Sequence, residues 1–378
     1  MRRIGVLGGM MDPIHMGHIR AAAAALGAGM DGVLLAPSRN PPHRPQPAVS
    51  FPDRLAMCRL AAEANDRLKA VALETAAGYA IEEARAVQKM YPDAKICWII
   101  GADKLPGLPN WYQAETLYSL CDFYVCPRPG FDPGVSVPGA RIEALPMEPI
   151  AVSSSTVVER LRRLDDAAEL LPPGIGRYIA ERGLYQPDYT PVLRQYGMGD
   201  KRLTHTLGVR STAVTLAALH GAPIQAAGVA AMLHDIAKPL PLSEMQALAR
   251  RYGLDLPQEI LDSGNLLHGP LAAAIAEHEL GINDPRVLSA IACHTTGKAG
   301  MTALDKVLFL ADAIEPSRAD YPGLREIRVL ARTDLDAAVL MSMRRTQEYV
   351  LSRGLPLCSQ TELAIQDLTS KRRNEHER

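Results

Sequence analysis

Residues 8–18 run Gly8-Gly9-Met10-Met11-Asp12-Pro13-Ile14-His15-Met16-Gly17-His18, directly after the apolar run Ile4 to Leu7. A short buried strand that ends in paired glycines, with His-x-Gly-His where a helix begins, makes an anion cradle. Gly8 and Gly9 let backbone N–H groups approach a phosphate, and the helix N-terminus adds a favourable dipole. His15 and His18 lie three positions apart and so share a face of the first helical turn. Each is a candidate catalytic donor to phosphate oxygens as negative charge builds during phosphoryl or nucleotidyl transfer.

Outward from this block, short apolar runs alternate with helix-period stretches. Strands are expected at Ile4–Leu7, Gly32–Ala36, Ala70–Leu73, Ile96–Ile100 and Phe123–Cys126, with helices around 18–29, 53–65, 79–90 and 111–120. That alternation predicts a parallel, Rossmann-like α/β sheet, whose ligands sit at the carboxyl ends of the strands. Gly8, His15, Gly101 and Arg128 fall at such ends. The character changes at Gln186–Asp200, where Pro187, Pro191, Gly197 and Gly199 suggest a linker over 187–200. From 201 to 368 the chain has helical periodicity and no strand candidate, which predicts an all-α domain after an α/β domain of residues 1–186. Residues 369–378 have the composition of a charged, solvated tail.

Composition narrows the function. Lys and Arg number 41 against 42 Asp and Glu, and the balanced, interspersed charge argues against a nucleic-acid surface. No apolar run approaches the roughly 20 residues of a membrane span. The six cysteines form no CxxC pair and no regular framework, as expected of reduced thiols in a cytoplasmic protein. A homo-oligomer stays open.

Further candidates cluster at strand ends. Pro37-Ser38-Arg39-Asn40-Pro41-Pro42-His43-Arg44 is a stiff loop after the second strand, and Asn40, His43 and Arg44 are candidate substrate contacts. Gly101 and Asp103 suit ribose or amide hydrogen bonds, and Trp111 offers a face to a flat heteroaromatic ring. Arg128 closes the fifth strand. Ser153-Ser154-Ser155-Thr156 opens a helix with more hydroxyls than a cap requires, so Ser154, Ser155 and Thr156 are candidate phosphate contacts.

The first block resembles the signature of the small nucleotidyltransferases, Gly-Gly-x-Phe-x-Pro-x-His-x-Gly-His, with Met11 in place of Phe. Enzymes acting on pantetheine phosphate and on pyridine mononucleotides share it. With the later blocks, residues 1 to about 186 resemble the bacterial nicotinate-nucleotide adenylyltransferases. The resemblance implies that ATP, with Mg²⁺, meets the first block and the Ser/Thr helix. It implies that nicotinate mononucleotide meets the Pro-Pro-His loop, the Gly101–Asp103 segment and Trp111. Two stretches depart from the family. Glu159 stands where Arg is usual, with Arg160 one position late. Tyr79-Ala80-Ile81-Glu82-Glu83 stands where Tyr-Thr-x-Asp-Thr is favoured. These departures carry a competing reading, a nucleotide-binding regulator with a degenerate transferase site.

In the helical half, His234-Asp235 can place a nitrogen and an oxygen on one cation, and His205, His268, His294 and Asp312 lie in similarly apolar helical context. Four His and two Asp in such settings need a joint explanation, which a two-metal centre supplies. With His294-Thr295-Thr296-Gly297 and Glu315-Pro316-Ser317-Arg318, residues 200–365 resemble the HD-superfamily symmetrical diadenosine-tetraphosphate hydrolases. The resemblance implies that His205, His234, Asp235 and Asp312 hold one metal and that His268 with His294 complete a second, both iron. It further implies a catalytic role for Asp235, with diadenosine tetraphosphate cleaved to two ADP. Lys238 and Arg318 are candidates for gripping the polyphosphate, or else a solvated charge and a structural ion pair. A phosphatase acting on another nucleotide is the alternative for this half.

Overall fold

The computed structural model describes residues 1–39, 46–149 and 151–376, the side chains of 374–376 excepted. The chain forms two compact units, Met1–Tyr178 and Ile179–Arg378.

The first unit is a six-stranded sheet in the order β3-β2-β1-β4-β5-β6, every pair parallel. Its strands are β1 (Arg2–Gly9), β2 (Gly32–Pro37), β3 (Leu68–Ala70), β4 (Ala94–Gly101), β5 (Cys121–Cys126) and β6 (Ile142–Ala144). Between them lie α1 (Met16–Gly27), α2 (Phe51–Ala62), α3 (Ala80–Met90), a 3-10 helix over Ala102–Asn110 and α4 (Ala114–Leu120), and after β6 come α5 (Ser154–Arg162) and α6 (Ile175–Arg182). The expected Rossmann-like α/β fold is present. Central strands buried on both faces need near-continuous apolar sequence, and Ile4, Val6, Ile96, Ile99 and Phe123 are almost wholly buried. The winding reverses between β1 and β4, which opens a crevice beyond their carboxyl ends.

Two strands differ from expectation. The ladder of β3 ends at Ala70, because β2 offers no partner beyond the Leu35 carbonyl that accepts from Val71 N–H. Val71 and Leu73 are buried, which explains the apolar signal, but they continue as extended chain outside the sheet. β6 is a three-residue edge strand, mostly exposed, with no alternation to reveal it.

The second unit is helical throughout its described residues: α7 (Thr190–Gln195), α8 (Asp200–His220), α9 (Ile224–Leu233), α10 (Leu242–Arg251), α11 (Gln258–Leu261), α12 (Gly264–His278), α13 (Pro285–Cys293), α14 (Ala303–Ile314), α15 (Leu324–Leu330), α16 (Leu335–Ser352) and α17 (Ser359–His376). Helix α7 occupies part of the stretch expected as a linker. The units divide earlier than composition suggested, within α6, because the close of that helix packs into the helical half. The Ala180 carbonyl lies against Gly228 of α9, and Arg210 of α8 lies against Gly183. The charged stretch, as far as residue 376, is also more ordered than its composition suggested. It continues α17, with Arg372 paired to Asp334 at 2.7 Å and Lys371 to Asp367 at 2.8 Å. No helix among the described residues is long and apolar enough to cross a membrane.

Candidate active sites

In the first unit the strand ends enclose a cleft of about 1400 Å³. Gly9 ends β1 at φ +152°, a conformation that side-chain-bearing residues rarely adopt, and its carbonyl accepts from Ser38 N–H at 2.8 Å. His15 is the N-cap of α1. Its Nδ1 accepts from Gly17 N–H at 3.1 Å, and His18 Nδ1 accepts from His15 N–H at 3.2 Å, a capping box built from two imidazoles. A ring nitrogen that accepts carries no proton, so in each neutral ring the proton sits on Nε2. Burial and the nearby Arg128 push His15 down to about 4. Burial, His15 and Arg128 hold His18 well below the usual imidazole range. Both rings are therefore neutral Nε2–H donors at physiological pH, lining the cleft with centroids 3.9 Å apart.

Gly8, Gly101, Asp103, Trp111, Arg128, Ser154 and Ser155 line the same cleft. Arg128 donates to Val152 O at 3.2 Å and lies 3.8 Å from Asp103, which also pairs with Lys104 at 2.6 Å. Ser154 Oγ donates to Pro13 O at 3.0 Å, tying the start of α5 to the first loop. Thr156 is not among the residues lining the cleft. Its N–H and hydroxyl are engaged with Ser153 Oγ, as in an ordinary helix cap. Asn40, His43 and Arg44 lie outside the described residues. Met11 is 1% exposed, with its Sδ 3.2 Å from Cys58 Sγ, so it fills the apolar site expected of the family's Phe.

Cations reach the cleft by an unexpected route. Arg160 points elsewhere, bonded to Asp166 O and Glu169, as its one-position shift of about 100° requires. Glu159 pairs with Arg163 at 2.7 Å, and Arg162 and Arg163 line the cleft instead. Sequence reasoning also missed Arg54, 1% exposed, which donates to the carbonyls of Met10, Ser38, Arg39 and Val49 and so braces the loops after β1 and β2. A lone Arg in a helix of mixed sequence gives no sign of this.

In the second unit the six predicted ligands meet where helix ends converge. His205 lies on α8, His268 on α12 and Asp312 on α14, while His234 and His294 are the C-caps of α9 and α13. Asp235 follows His234 in a tight turn rather than on the helix that sequence suggested. Its Oδ2 lies 3.5 Å from His234 Nε2 and 3.9 Å from His205 Nε2. Its Oδ1 lies 3.2 Å from His268 Nε2 and 3.9 Å from His294 Nε2. Asp312 Oδ1 is 3.0 Å from His205 Nε2. Two overlapping ligand triads result, His205-His234-Asp312 and His234-Asp235-His294.

The donor chemistry fits cations. His234 Nδ1 is 2.7 Å from Ala231 O and His294 Nδ1 is 2.7 Å from Ile291 O, so each donates outward and leaves an Nε2 lone pair facing the cluster. His234 Nε2 is buried without a hydrogen-bond partner, and His268 Nε2 faces His294 Nε2 at 3.1 Å. Lone pairs gathered this way beside carboxylates suit a divalent metal. Burial works against the charge of Asp235, yet His234, His268 and His294 hold its carboxyl well below the usual range. Burial and neighbouring imidazoles push His294 down to about 3.

Glu315 is the orienting group the sequence did not reveal. It is 1% exposed, and its Oε1 accepts from His205 Nδ1 at 3.0 Å. Its approach needs Gly208, where a Cβ would come within 2.5 Å of Oε2. Burial opposes its charge, but hydrogen bonds from Ser317 and His205 keep its pKa low. Glu315→Gln is expected to weaken metal binding by about 10- to 100-fold, measured by competition with a chelator, while the unit stays folded. His268 Nδ1 donates to Gly264 O at 3.2 Å, which leaves its Nε2 lone pair toward the cluster, and Lys238 Nζ donates to Asn265 Oδ1 at 3.1 Å beside that ring. Arg318 pairs with Asp312 and also lines a cavity of about 890 Å³ whose wall includes His294 and Asp312. Arg202, also missed, pairs with Asp235.

Comparison with known proteins agrees with both halves. A cytidylyltransferase-like family model matches residues 6–160, and an HD-domain model matches residues 202–317. The Bacillus subtilis protein "Bis(5'-nucleosyl)-tetraphosphatase, symmetrical" is 40% identical over 172 residues, 45% of this chain and 91% of its own length. A Synechococcus protein named "Probable nicotinate-nucleotide adenylyltransferase" is 36% identical over 196 residues, 49% of this chain and 95% of its own. A Mycoplasma genitalium protein named "Probable nicotinate-nucleotide adenylyltransferase/Ap4A hydrolase" is 27% identical over 358 residues, 92% of this chain and 99% of its own. The chain therefore belongs, through its two halves, to the nicotinate-nucleotide adenylyltransferases and to the HD-domain symmetrical bis(5'-nucleosyl)-tetraphosphatases, joined in one polypeptide.

Proposed function

We propose that the protein is a bifunctional enzyme that adenylylates nicotinate mononucleotide and hydrolyses diadenosine tetraphosphate symmetrically. The pairing of two neutral Nε2–H imidazoles with a phosphate-sized loop carries the first activity. ATP enters as its magnesium complex, with its phosphates toward Gly8, Gly9 and the start of α5. The mononucleotide phosphate attacks the α-phosphorus, the bond to the bridging oxygen breaks, and pyrophosphate leaves. The acceptor is already anionic, so the site needs no base. His15 and His18 supply donors, Arg128, Arg162 and Arg163 supply charge, and the rigid loops supply alignment. Glu159 lines the same cleft, but its charge is met there by Arg163 at 2.7 Å.

The convergence of four imidazoles and two carboxylates carries the second activity. His205, His234, Asp235 and Asp312 would hold one metal and His268 with His294 a second; nitrogen and oxygen donors accommodate several divalent ions, and iron is the one that the resemblance implies. When bound, such metals act as Lewis acids toward phosphoryl oxygens and activate water. Around them, Glu315 holds the tautomer of His205, the Gly264 carbonyl holds that of His268, and Arg202 fixes Asp235. The adjoining cavity offers Tyr321 and Tyr349 to a base and Arg318 and Arg345 to phosphates. One water adds across the central bridge, and diadenosine tetraphosphate yields two ADP.

Purified full chain incubated with ATP, Mg²⁺ and nicotinate mononucleotide is expected to give nicotinate adenine dinucleotide and pyrophosphate. With diadenosine tetraphosphate and iron(II) it is expected to give ADP alone. Binding of ATP and mononucleotide without product would establish the regulator reading of the first half. AMP and ATP as products would overturn symmetrical cleavage in the second.

A further inference from the structure

Adenylyl transfer leaves one buried charge of the first cleft without a task. Glu83, on the first turn of α3, is 6% exposed and lines the cleft. Ser38 Oγ donates to its Oε1 at a long 3.3 Å, and its Oε2 lies 3.3 Å from where a Cβ on Gly8 would stand, beside the Trp98 ring. The other buried charges of this unit hold structure together. Asp12 accepts from Ala48 N–H, Asp53 accepts from Ser50 and Tyr178, and Arg54 braces four carbonyls. A buried carboxyl with one long hydrogen bond is costly to keep, and the cleft it faces suggests why it is kept.

Arg128 acts electrostatically on His15 and His18, the phosphate end, whereas Ser38 and Glu82 are the polar groups acting on Glu83. Glu83 accepts from Ser38, which opens the loop that the resemblance assigns to the mononucleotide, and it lines the same cleft as Trp111, whose face suits a flat ring. We propose that Glu83 is a specificity-determining residue that senses the charge of the substituent on the acceptor's pyridine ring. This rests on the reading of the cleft as a pyridine-mononucleotide site. Protonated, Glu83 donates to a ring carboxylate. Ionised, it repels a carboxylate and accepts from a ring amide instead.

Both states are accessible near neutrality, since burial pushes the carboxyl up to about 7, the Ser38 hydrogen bond pulling it down and Glu82 adding to the rise. Among the described residues, Glu82 is the charged neighbour on its own helix. The sheet presents Gly8 from β1, the Ser38 hydroxyl after β2 and the Trp98 indole from β4, all uncharged, while Asp103 and Lys104 line the cleft farther along the chain.

The test is a ratio: kcat/KM for nicotinate mononucleotide divided by that for nicotinamide mononucleotide, measured with the full chain from about pH 6 to about pH 8.5. Both substrates share ATP, metal and phosphate, so every ionisation at the phosphate end cancels. The ratio is expected to fall about tenfold through neutrality in the wild type and to stay flat in Glu83→Gln, lying above the wild type at high pH. A ratio that is flat in the wild type, or that falls equally in Glu83→Gln, overturns the proposal and leaves the transferase reading intact. Should Glu83→Gln not fold, the wild-type profile decides by itself. Turnover of neither mononucleotide overturns the transferase reading and this proposal together.

Discussion

Asp235→Asn is expected to lower diadenosine tetraphosphate hydrolysis by at least about 10³-fold and to strip the helical unit of metal, leaving adenylyl transfer within about twofold. Loss of an outer partner typically costs 10- to 100-fold, and loss of a carboxylate whose two oxygens face four imidazoles should cost more. The geometry explains the size. Oδ2 faces His234 and His205 while Oδ1 faces His268 and His294, so one neutralised side chain weakens both metal positions together. Asn keeps the shape, and the Arg202 partner it forfeits is about two-fifths exposed, so the fold should tolerate the change. Elemental analysis and chromatography of products check it, with transferase turnover on the same preparation as the internal control. Retained metal and retained hydrolysis would remove Asp235 from the centre.

The legible parts of this chain were those in which local sequence states a physical requirement. Paired glycines after an apolar run specify a strand end that approaches an anion, and β1 and α1 form there. Apolar runs such as Ile96–Ile100 specify strands buried on both faces. The six candidate ligands of the helical half are legible because polar groups at buried positions need a common partner. Requirements met from a distance were not legible. Glu315 and Gly208 are over a hundred positions apart, and only the fold shows that a missing Cβ in α8 admits the carboxylate that orients His205. Arg54 braces loops through backbone carbonyls, which no sequence pattern encodes. Thr156 shows the converse: the sequence offers its hydroxyl to a phosphate, while the structure engages it with Ser153 Oγ, the N-cap of α5. The departure at Glu83 was visible, but not its burial, and burial is what turns a surface-like residue into a discriminating one.

His18→Ala is expected to lower kcat for adenylyl transfer by about 10²- to 10³-fold with little change in the KM for ATP, the loss typical of one positioned donor to a developing oxyanion. The side chain has two duties that the experiment must separate. His18 Nδ1 accepts from His15 N–H and completes the capping box, and loss of that bond alone costs about 1 kcal/mol of stability. The other nitrogen, Nε2–H, is the donor left for a ligand. Because the ring is held neutral by burial, the donor persists across physiological pH, and the loss should be the same at pH 6 as at pH 8. His18→Asn divides the duties. An amide oxygen can accept from His15 N–H and restore the cap, but the shorter side chain cannot carry its N–H to the ring's Nε2 position. Thermal unfolding is therefore expected to recover in His18→Asn while kcat stays low. If kcat recovers with the melting temperature instead, His18 acts only by shaping the start of α1, and transition-state donation falls to His15 and the arginines of the cleft.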